Sequence, residues 1–598
     1  MTDTTDTHET TTDATVNTAL IPLPVNVARA LTAIGGLATA ASAYLAWTWT
    51  SDFPGDLTYN GSPAGLQWLT FTAGLLTLLF ALAGYGIKGL RWLAPDGTAP
   101  IIISSLGGLA VTWYALGSIA GELGGLANLT AGGTIAGIAA LIPVIGALGL
   151  PQPATADNIP GNLKARLGAL VAKPDRTKPL PTLPAWQQRA IITVALAIGL
   201  GIFTYGIDTG YGELFTGFLI VVGFGAWTLH TAGILERFSA LSATNRGFSI
   251  VMAFAAAAAF PLTQNNDHDA NLGVNILIFG TVALGLNIVV GLTGLLDLGY
   301  VAFLGVGAYA AALVSGSAYS TLSGTTFPFW AAALTGTAAS LIFGVLIGAP
   351  TLRLRGDYLA IVTLGFGEIF RIVVNNLDGV SGPKVTNGPN GIPAIPDLSI
   401  GGFNLGDPHA FGGFTIGRFA NYYFLMLIVT AFVIIIFTRA ANSRIGRAWV
   451  AIREDETAAT AMGINGFRVK LTAFALGAAL AGLAGTVSAH VTYNVVPNPY
   501  QFAGSAPPNS AFLLAAVVLG GMGTVSGPLL GAALLYLIPE KLQFLQNYEL
   551  LAFGLALILL MRFRPEGVIA NKRRQLEFHE AEEPATPAEP AAPATAGV

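Results

Sequence analysis

Apolar runs of about 20 residues recur along the chain and limit its possible folds more than any other feature. A helix of that length crosses the roughly 30 Å of hydrocarbon in a bilayer. We count about sixteen such runs, which lie between residues 27 and 562. Membrane barrels instead show segments of about ten residues in which apolar and polar positions alternate, whereas these runs are apolar on every side. The sequence therefore predicts an all-α, polytopic helical bundle.

The predicted spans form two groups separated by a polar linker. The first group is 27–49, 64–87, 100–121 and 131–150. The second group is 188–206, 212–235, 247–262, 271–291, 297–317, 328–350, 357–376, 419–438, 467–490, 509–521, 524–538 and 544–562. The short pair 509–521 and 524–538, joined by the glycine-rich residues 520–523, is either two crossings or one re-entrant hairpin.

Composition shifts set the predicted domain boundaries. Residues 1–26 and 571–598 are poor in large apolar residues and are predicted to be disordered tails. The proline-rich, basic segment 151–187 is too polar to span and is predicted to be a linker. It separates a four-helix membrane module, 27–150, from a second membrane module, 188–570.

Charge placement predicts the orientation in the membrane. Only 10% of the residues are charged, whereas 53% are hydrophobic. When the spans alternate sides, most of the 28 Lys and Arg residues fall on one side, which the positive-inside rule assigns to the cytoplasm. We therefore expect a multi-pass protein of the cell inner membrane with both termini and the linker in the cytoplasm. The chain has no cysteine, which excludes disulfides and thiolate chemistry.

The largest predicted inner loop of the second module, 439–470, carries an amphipathic pattern. Apolar residues recur on one face of a helix of about four turns, while the other face is charged and Gly463 ends the helix. The apolar positions are Ile445, Trp449, Ile452, Ala459 and Met462. From spacing alone, this helix is either a docking element for a soluble partner or a connector that rests on the membrane surface.

Several blocks of the second module closely resemble one transporter family. They are ALGLNIVVGLTGLLDLGYVAFLGVGAYAAAL (283–313), PTLRLRGDYLAIVTLGFGEIFRIV (350–373), GPNGI (388–392), RIGRAWVAIREDETAATAMGING (444–466), VVLGGMGTVSGPLLGAALL (517–535) and RFRPEGV (562–568). Together they resemble the M-type permease subunit of high-affinity branched-chain amino-acid ABC importers. The resemblance covers roughly residues 246–570, in the order and at about the spacing of the family, and does not visibly reach 1–187.

This resemblance implies an architecture, partners and roles for residues. It implies an ABC importer permease architecture in the second module, with a coupling segment that docks on an ATPase subunit. The residues assigned to ATPase coupling are Arg447, Ala448, Arg453, Glu454, Asp455, Glu456 and Gly463. It also implies a second permease subunit, two ATP-binding subunits and an extracytoplasmic amino-acid-binding protein that delivers Leu, Ile or Val near the outer segment 377–418.

No part of the sequence matches the GxxxxGK[ST] loop that cradles ATP phosphates. The chain is therefore predicted to be a transport subunit and not an enzyme, without a cofactor of its own, with ATP bound on partner subunits. Neither metal nor nucleic-acid sites are expected, because His230 and His490 stand alone and the basic residues form no patch.

A few polar residues inside the spans are candidates for the transport path or its gate. They are Asp297, Tyr300, Glu368, Arg371 and Asn509. Glu368 and Arg371 are three residues apart near the middle of a span, so we expect an ion pair. Asp297 lies at a predicted helix start, which favours a capping role. Asn509 stands where the family usually has an acidic residue, which puts substrate preference or docking near this helix in doubt.

Alternative functions remain open at this stage. Permeases for urea or short amides belong to the same ABC class. A secondary transporter driven by an ion gradient is the alternative from another class, although such carriers normally need intramembrane carboxylates or broken-helix ion sites. Paired glycines such as Gly305 and Gly307, or Gly365 and Gly367, are interpreted as sites of close helix approach.

Overall fold

The structure is a computed structural model that describes most of the helical part of the chain. It describes residues 19–49, 65–85, 87, 90, 92–94, 97–122, 124–151, 168, 170–171, 183–264, 266–353, 358–411, 414–504, 508–542, 548–563 and 566–569. The predicted tail 571–598, most of the predicted linker 151–187 and residues 1–18 of the other predicted tail lie outside the described residues.

Each predicted apolar span contains a helix. The helices up to residue 264 are α1 Val25–Ser42, α2 Gly65–Gly84, α3 Ala99–Glu122, α4 Ala131–Leu148, α5 Ala185–Asp208, α6 Gly212–Thr231, α7 Ile234–Thr244 and α8 Arg246–Ala259. Those that follow are α9 Asp267–Asn287, α10 Val301–Val314, α11 Phe329–Thr351, α12 Tyr358–Asn376, α13 Arg418–Ala441, α14 Arg444–Glu454, α15 Glu456–Ala461, α16 Gly466–Thr492, α17 Ser510–Gly520, α18 Ser526–Lys541 and α19 Glu549–Phe563. A π-helical turn, Ile288–Leu292, extends α9. The fold class is confirmed as all-helical.

The predicted number of sixteen spans is not confirmed. Within the described residues, 11 helices are long and apolar enough to cross a membrane. The apolar helices α10 and α17 are shorter, with 14 and 11 residues. At 1.5 Å per residue they reach about 21 and 17 Å, short of the roughly 30 Å of hydrocarbon. Apolar runs predict these helices correctly, but they do not show at which residue each helix ends.

The chain divides into two compact units, Met1–Gln264 with Glu540–Phe544, and Asn265–Pro539 with Leu545–Val598. This division differs from the predicted boundary at 151–187, because residues 188–264 pack with the first four helices. In the first unit, α6 lies against α2 and α3. A Cβ on Gly217 would lie 2.9 Å from Leu69 and 3.1 Å from Leu66, and the Tyr114 hydroxyl donates to the Glu213 carbonyl at 3.0 Å. Apolar packing, and not the polar linker, decides the boundary.

In the second unit, α10, α11 and α16 cross with their backbones in contact. Gly307 on α10, Gly336 on α11 and Gly482 on α16 meet at this crossing. A Cβ on Gly336 would lie 2.9 Å from the Gly307 carbonyl oxygen, and one on Gly482 would lie 2.8 Å from the Gly336 carbonyl oxygen. Small residues allow this approach, as is common in membrane bundles.

Two interrupted helices meet beside this crossing. The first is α9 with its π-helical turn, after which non-helical backbone leads to α10. The second is the pair α17 and α18, which is broken at Gly521–Gly523. Asn287 joins the two, because its side chain accepts from the Gly523 amide at 2.8 Å and donates to the Thr524 carbonyl at 2.7 Å. The side chain of Asn287 is fully buried.

The segment between α12 and α13 is held on the end of α16. It contains two small antiparallel hairpins, β1 Ser399–Ile400 with β2 Phe403–Asn404 and β3 His409–Phe411 with β4 Phe414–Ile416. The Arg418 guanidinium pairs with Asp397 at 3.0 Å and donates to the carbonyls of His490 and Val491 at 2.9 and 3.2 Å. These carbonyls belong to the last turn of α16, where they lack helical partners. Arg418 therefore fixes the segment to the bundle.

Candidate functional site

The predicted amphipathic helix is two helices and not one. α14 ends at Glu454, and Asp455 is extended, with φ of −154° and ψ of 108°, before α15 begins. The Asp455 carboxylate accepts from the amides of Thr457 and Ala458 at 2.7 and 3.0 Å, which makes it the N-cap of α15. We call Arg444–Ala461 the helix pair.

Side-chain and backbone caps hold each end of the helix pair. Ser443 caps α14 by accepting from the Gly446 amide at 3.1 Å. After α15, Gly463 adopts a left-handed φ of 88°. Its amide donates to Thr460 and the Ile464 amide donates to Ala459, at 3.0 and 3.1 Å, which is a Schellman motif. The prediction that Gly463 ends the helix is confirmed.

The buried side of the helix pair packs against the rest of the second unit, and we call these contacts the seat. Trp449 is 2% exposed, packs in a core that includes Ile288 of the π-helical turn, and donates from Nε1 to the Val469 carbonyl at 2.9 Å. Arg453 donates to the carbonyl of Gly291 at 2.8 Å, again in the π-helical turn. The helix pair is therefore bonded directly to the turn that ends α9.

An ion pair also holds the helix pair against α16. Glu456, at the start of α15, contacts Lys470 of α16 at 2.6 Å, and the Lys470 side chain is only 7% exposed. Breaking this pair would leave a buried ammonium without its counter-charge, which is costly. Glu456 therefore fixes α15 to the bundle and is only partly available to a partner.

The exposed side of the helix pair differs in part from the prediction. Ile445 and Met462 were expected on the dry face, but they are 48% and 84% exposed. Ile445 lies in the first turn of α14 and Met462 lies beyond the last residue of α15, whereas the predicted apolar positions between them, Trp449, Ile452 and Ala459, are buried. Among the residues assigned to ATPase coupling, Arg447, Glu454, Asp455, Glu456 and Gly463 are exposed, Ala448 is half-buried, and Arg453 faces its own chain.

Of the predicted path residues, Glu368 and Arg371 form the expected ion pair on α12, with Arg371 Nε 2.8 Å from Glu368 Oε2. The predicted capping role of Asp297 is wrong. Its carboxylate accepts from the Gly299 amide at 3.0 Å, two residues before α10 begins. The first amide of α10, at Val301, instead donates to the Ser510 hydroxyl at 3.1 Å.

The remaining path candidates are buried and hydrogen-bonded. The Tyr300 hydroxyl donates to the Gly477 carbonyl of α16 at 2.6 Å. Asn509 caps α17 by accepting from the Phe512 amide at 2.9 Å. An aspartate has the same capping ability as this asparagine, so the departure from the family pattern leaves the start of α17 intact. Within the described residues, no group of three His, Asp or Glu side chains is placed to hold a metal ion.

Comparison with known proteins identifies the second unit. A profile for "Branched-chain amino acid transport system / permease component" matches residues 270–561. The high-affinity branched-chain amino acid transport system permease protein LivM of Escherichia coli (strain K12) is 41% identical over 315 residues, which cover 50% of this chain and 70% of that protein. LivM of Salmonella typhimurium is 39% identical over 320 residues, which cover 51% and 71%. The chain belongs to this permease family.

A more distant likeness extends to the other permease of such systems. LivH of Escherichia coli (strain K12) is 32% identical to this branched-chain amino acid transport permease over 180 residues, which cover 29% of this chain and 55% of LivH. No solved structure gives a significant match. The predicted resemblance is confirmed, and the profile match at 270–561 falls almost entirely in the second unit.

Sequence reasoning missed four residues that build the permease's site. Lys470 neutralises Glu456, Asn287 and Gly291 connect the seat to the interrupted helices, and Ser510 caps α10. The contacts of Asn287 and Ser510 join residues more than two hundred positions apart. A polar residue within an apolar run, as at Asn287, was the available signal.

The Asp455 cap can be tested by local stability. Replacing Asp455 with alanine removes two hydrogen bonds at the start of α15, which typically costs about 1 kcal/mol. We expect faster amide hydrogen exchange across 456–463 in the purified permease, with unchanged exchange in α16. Asn retains the acceptor, so Asp455→Asn should exchange like the wild type. Equal exchange in the alanine variant would show that the cap does not hold α15.

Proposed function

We propose that this chain forms one half of the transmembrane path of an ATP-driven importer for the branched-chain amino acids Leu, Ile and Val. The sequence relatives supply the transport class and the substrate class. The observation that carries the mechanism is the helix pair, which is exposed on one side and bonded on the other to the π-helical turn that ends α9. In this arrangement, a soluble protein that binds the exposed side and moves the helix pair would also displace the helices of the bundle.

The proposed coupling follows the contacts inward from the helix pair. A partner that moves the helix pair also moves the π-helical turn, through Trp449 and Arg453. Asn287, beside that turn, then carries the movement to the break between α17 and α18. π-Turns and helix breaks are common at functional positions. Two arrangements of these interrupted helices would open the path to one side or the other.

The proposal requires several partners. A second permease subunit completes the path, two ATP-binding subunits hydrolyse ATP, and an extracytoplasmic binding protein delivers the amino acid. In the proposed orientation, the permease lies in the cell inner membrane, with the helix pair and both termini in the cytoplasm. The chain itself carries no phosphate-binding loop of the GxxxxGK[ST] type, so the energy must come from the ATP-binding subunits.

Reconstitution distinguishes the proposal from its alternatives. Proteoliposomes that hold the complete complex should accumulate radiolabelled leucine only with ATP inside and binding protein outside. Accumulation driven by a proton or sodium gradient, without ATP, would indicate a secondary transporter. ATP-dependent uptake of urea or acetamide in place of leucine would indicate the related amide class.

The docking surface can be tested by reversing two exposed charges. Arg444→Glu with Arg447→Glu reverses two exposed charges on the surface that faces the ATP-binding subunit. It leaves in place Glu454, which pairs with Arg453 at 3.4 Å. Because like charges across an interface cost several kcal/mol, we expect leucine uptake to fall at least about tenfold, since tenfold corresponds to 1.4 kcal/mol. Glu456 is left unchanged, because its reversal would break the buried pair with Lys470.

The control for this double variant is Arg246→Glu, which reverses an exposed charge outside residues 270–561, the part matched by the family profile. It should leave uptake unchanged. Both variants should elute as single species of wild-type size in detergent. If the double variant folds, recruits ATP-binding subunits and imports leucine at the wild-type rate, the helix pair is not the docking element.

A further inference from the structure

α12 has a buried face, an exposed face and one polar edge. The residues buried against the bundle are Leu359, Ala360, Thr363, Gly367, Phe370 and Val374. The opposite face is exposed and apolar, with Ile361 and Ile369 more than 60% exposed. Between the two faces runs a stripe at spacings of four, three and four residues, Leu364, Glu368, Arg371 and Asn375. These four half-buried residues share one edge of the helix, which we call the polar edge.

The ion pair on the polar edge is open to its surroundings. Arg371 and Glu368 remain 32% and 37% exposed although they bond each other at 2.8 Å. They lie near the middle of Tyr358–Asn376, a helix long and apolar enough to cross the membrane. Charged side chains near the bilayer centre face protein or water and not lipid, because lipid cannot solvate them. The polar edge therefore faces a partner protein, a water-filled path, or both.

We propose that Glu368 and Arg371 form a subsite for the charged head group of an amino acid, in the path between this chain and the second permease. This inference rests on the proposed transport function. A free amino acid carries an ammonium and a carboxylate on one carbon atom, and the polar edge presents a carboxylate and a guanidinium side by side. Arg371 suits the carboxylate, since a planar guanidinium binds carboxylates through two parallel hydrogen bonds.

The resting ion pair explains how such a subsite tolerates the membrane interior. Without substrate, Glu368 and Arg371 neutralise each other. With substrate, each exchanges its partner for the opposite charge of the amino acid, so no charge is left unpaired at either stage. This exchange also keeps binding weak, as a path requires, because leaving the site restores the original pair. Leu364, on the same edge, offers apolar contact to an aliphatic side chain.

The proposed subsite also accounts for selection between cargoes. Urea and short amides carry no formal charges, so they cannot replace either partner of the ion pair. A transporter for such solutes gains nothing from an exposed Glu–Arg pair at this depth and loses free energy by exposing it. The same two side chains therefore connect the transport path to α-amino acids as a chemical class.

Two paired substitutions separate substrate binding from a structural ion pair. Glu368→Gln with Arg371→Gln removes both charges and leaves none unpaired. Glu368→Arg with Arg371→Glu keeps an ion pair but reverses its direction. In reconstituted complexes we expect both variants to assemble and to hydrolyse ATP, while leucine uptake falls at least about tenfold. Ile369→Ala, at the same depth on the exposed apolar face, should import like the wild type.

The outcomes separate this inference from the proposed function. If the wild-type complex fails to import leucine with ATP, the proposed function fails before the variants are compared. If the wild type imports leucine and either paired variant matches it, the subsite is wrong while the importer stands. Rescue by the reversed pair alone would likewise assign the residues a structural role and overturn the subsite.

Cysteine labelling tests the water-filled path without altering the ion pair. The chain contains no cysteine, so a single introduced thiol is read without background from this subunit. In the assembled complex, Leu364→Cys and Asn375→Cys on the polar edge should react with a charged, membrane-impermeant thiosulfonate. Ile369→Cys should stay unlabelled at the same reagent concentration. Labelling of Ile369→Cys alone, or no difference between the two faces, would overturn the assignment of the polar edge to the path.

Discussion

Gly307→Ala is expected to lower the free energy of unfolding of the second unit by about 3 kcal/mol, the upper part of the usual range for overpacking a well-packed core. The added methyl would meet the backbone of Gly482, whose carbonyl carbon would lie 2.7 Å away. A flexible side chain could rotate aside, but a helix backbone cannot. α10 and α16 would have to separate, and Gly336 of α11 would lose its contact with both. The thermal midpoint of the purified protein in detergent measures the effect.

Gly365→Ala is the matched control for this substitution. Gly365 lies inside α12 on its exposed face, and a Cβ there would meet nothing within 4 Å. Alanine lowers the conformational entropy of the unfolded chain, so a gain of roughly 0.5 to 1 kcal/mol is expected in a helix interior. Opposite shifts of the thermal midpoint in the two variants are therefore expected. Equal midpoints would show that the backbone contact at Gly307 is not needed for stability.

These two glycines also show the limit of the sequence prediction. Close helix approach was predicted for both glycine pairs, and it is confirmed for Gly307, which meets the backbone of Gly482. Gly305 instead faces the ring of Phe370, and Gly367 faces the backbone of Gly299, which precedes α10. The prediction is wrong for Gly365. Residues two apart on a helix point about 200° apart, so only one member of the pair in α12 faces the bundle. A single sequence that is apolar on every side does not show which face is buried.

The helix pair shows a similar limit. Spacing predicted that Trp449 and Ile452 are buried, which the structure confirms, and that Gly463 ends the helix. It missed the break at Asp455, although Asp is a favourable N-cap residue. The apolar pattern runs on through the break, so periodicity gives one helix where capping gives two. Local hydrogen bonds decided the structure there.

Long-range contacts account for most of what the sequence did not show. The helices follow from apolar runs, because the bilayer leaves few alternatives for backbone hydrogen bonding. By contrast, the grouping of residues 188–264 with the first four helices depends on which apolar faces fit together. The bond from Asn287 to the break between α17 and α18 likewise joins distant parts of the chain. Such pairings depend on tertiary packing, which local patterns do not encode.

Arg453→Ala is expected to uncouple ATP hydrolysis from uptake, with at least about a tenfold loss of leucine import at a retained rate of hydrolysis. Arg453 is not on the exposed side to which the proposed ATP-binding subunit would dock. Its guanidinium holds the Gly291 carbonyl in the π-helical turn at 2.8 Å, and its stem lies against Gly294, whose φ is 70°. Without this bond, the helix pair keeps its docking surface and its contacts at Trp449, but it loses its hydrogen bond to the π-helical turn that ends α9. ATP-binding subunits would then move the helix pair without moving the interrupted helices.

The control for this variant is Arg468→Ala, which removes an exposed guanidinium from the same loop without a seat contact. This variant should couple ATP hydrolysis to uptake normally. The Asn465 side chain that caps α16 accepts from the backbone amide of residue 468, which the substitution leaves in place. Hydrolysis and uptake measured in the same proteoliposomes give the number of ATP molecules used per leucine. A rise in that ratio for Arg453→Ala alone supports force transfer through Gly291. If both activities fall together, Arg453 acts in assembly, and if neither falls, the helix pair moves α9 through Trp449 alone.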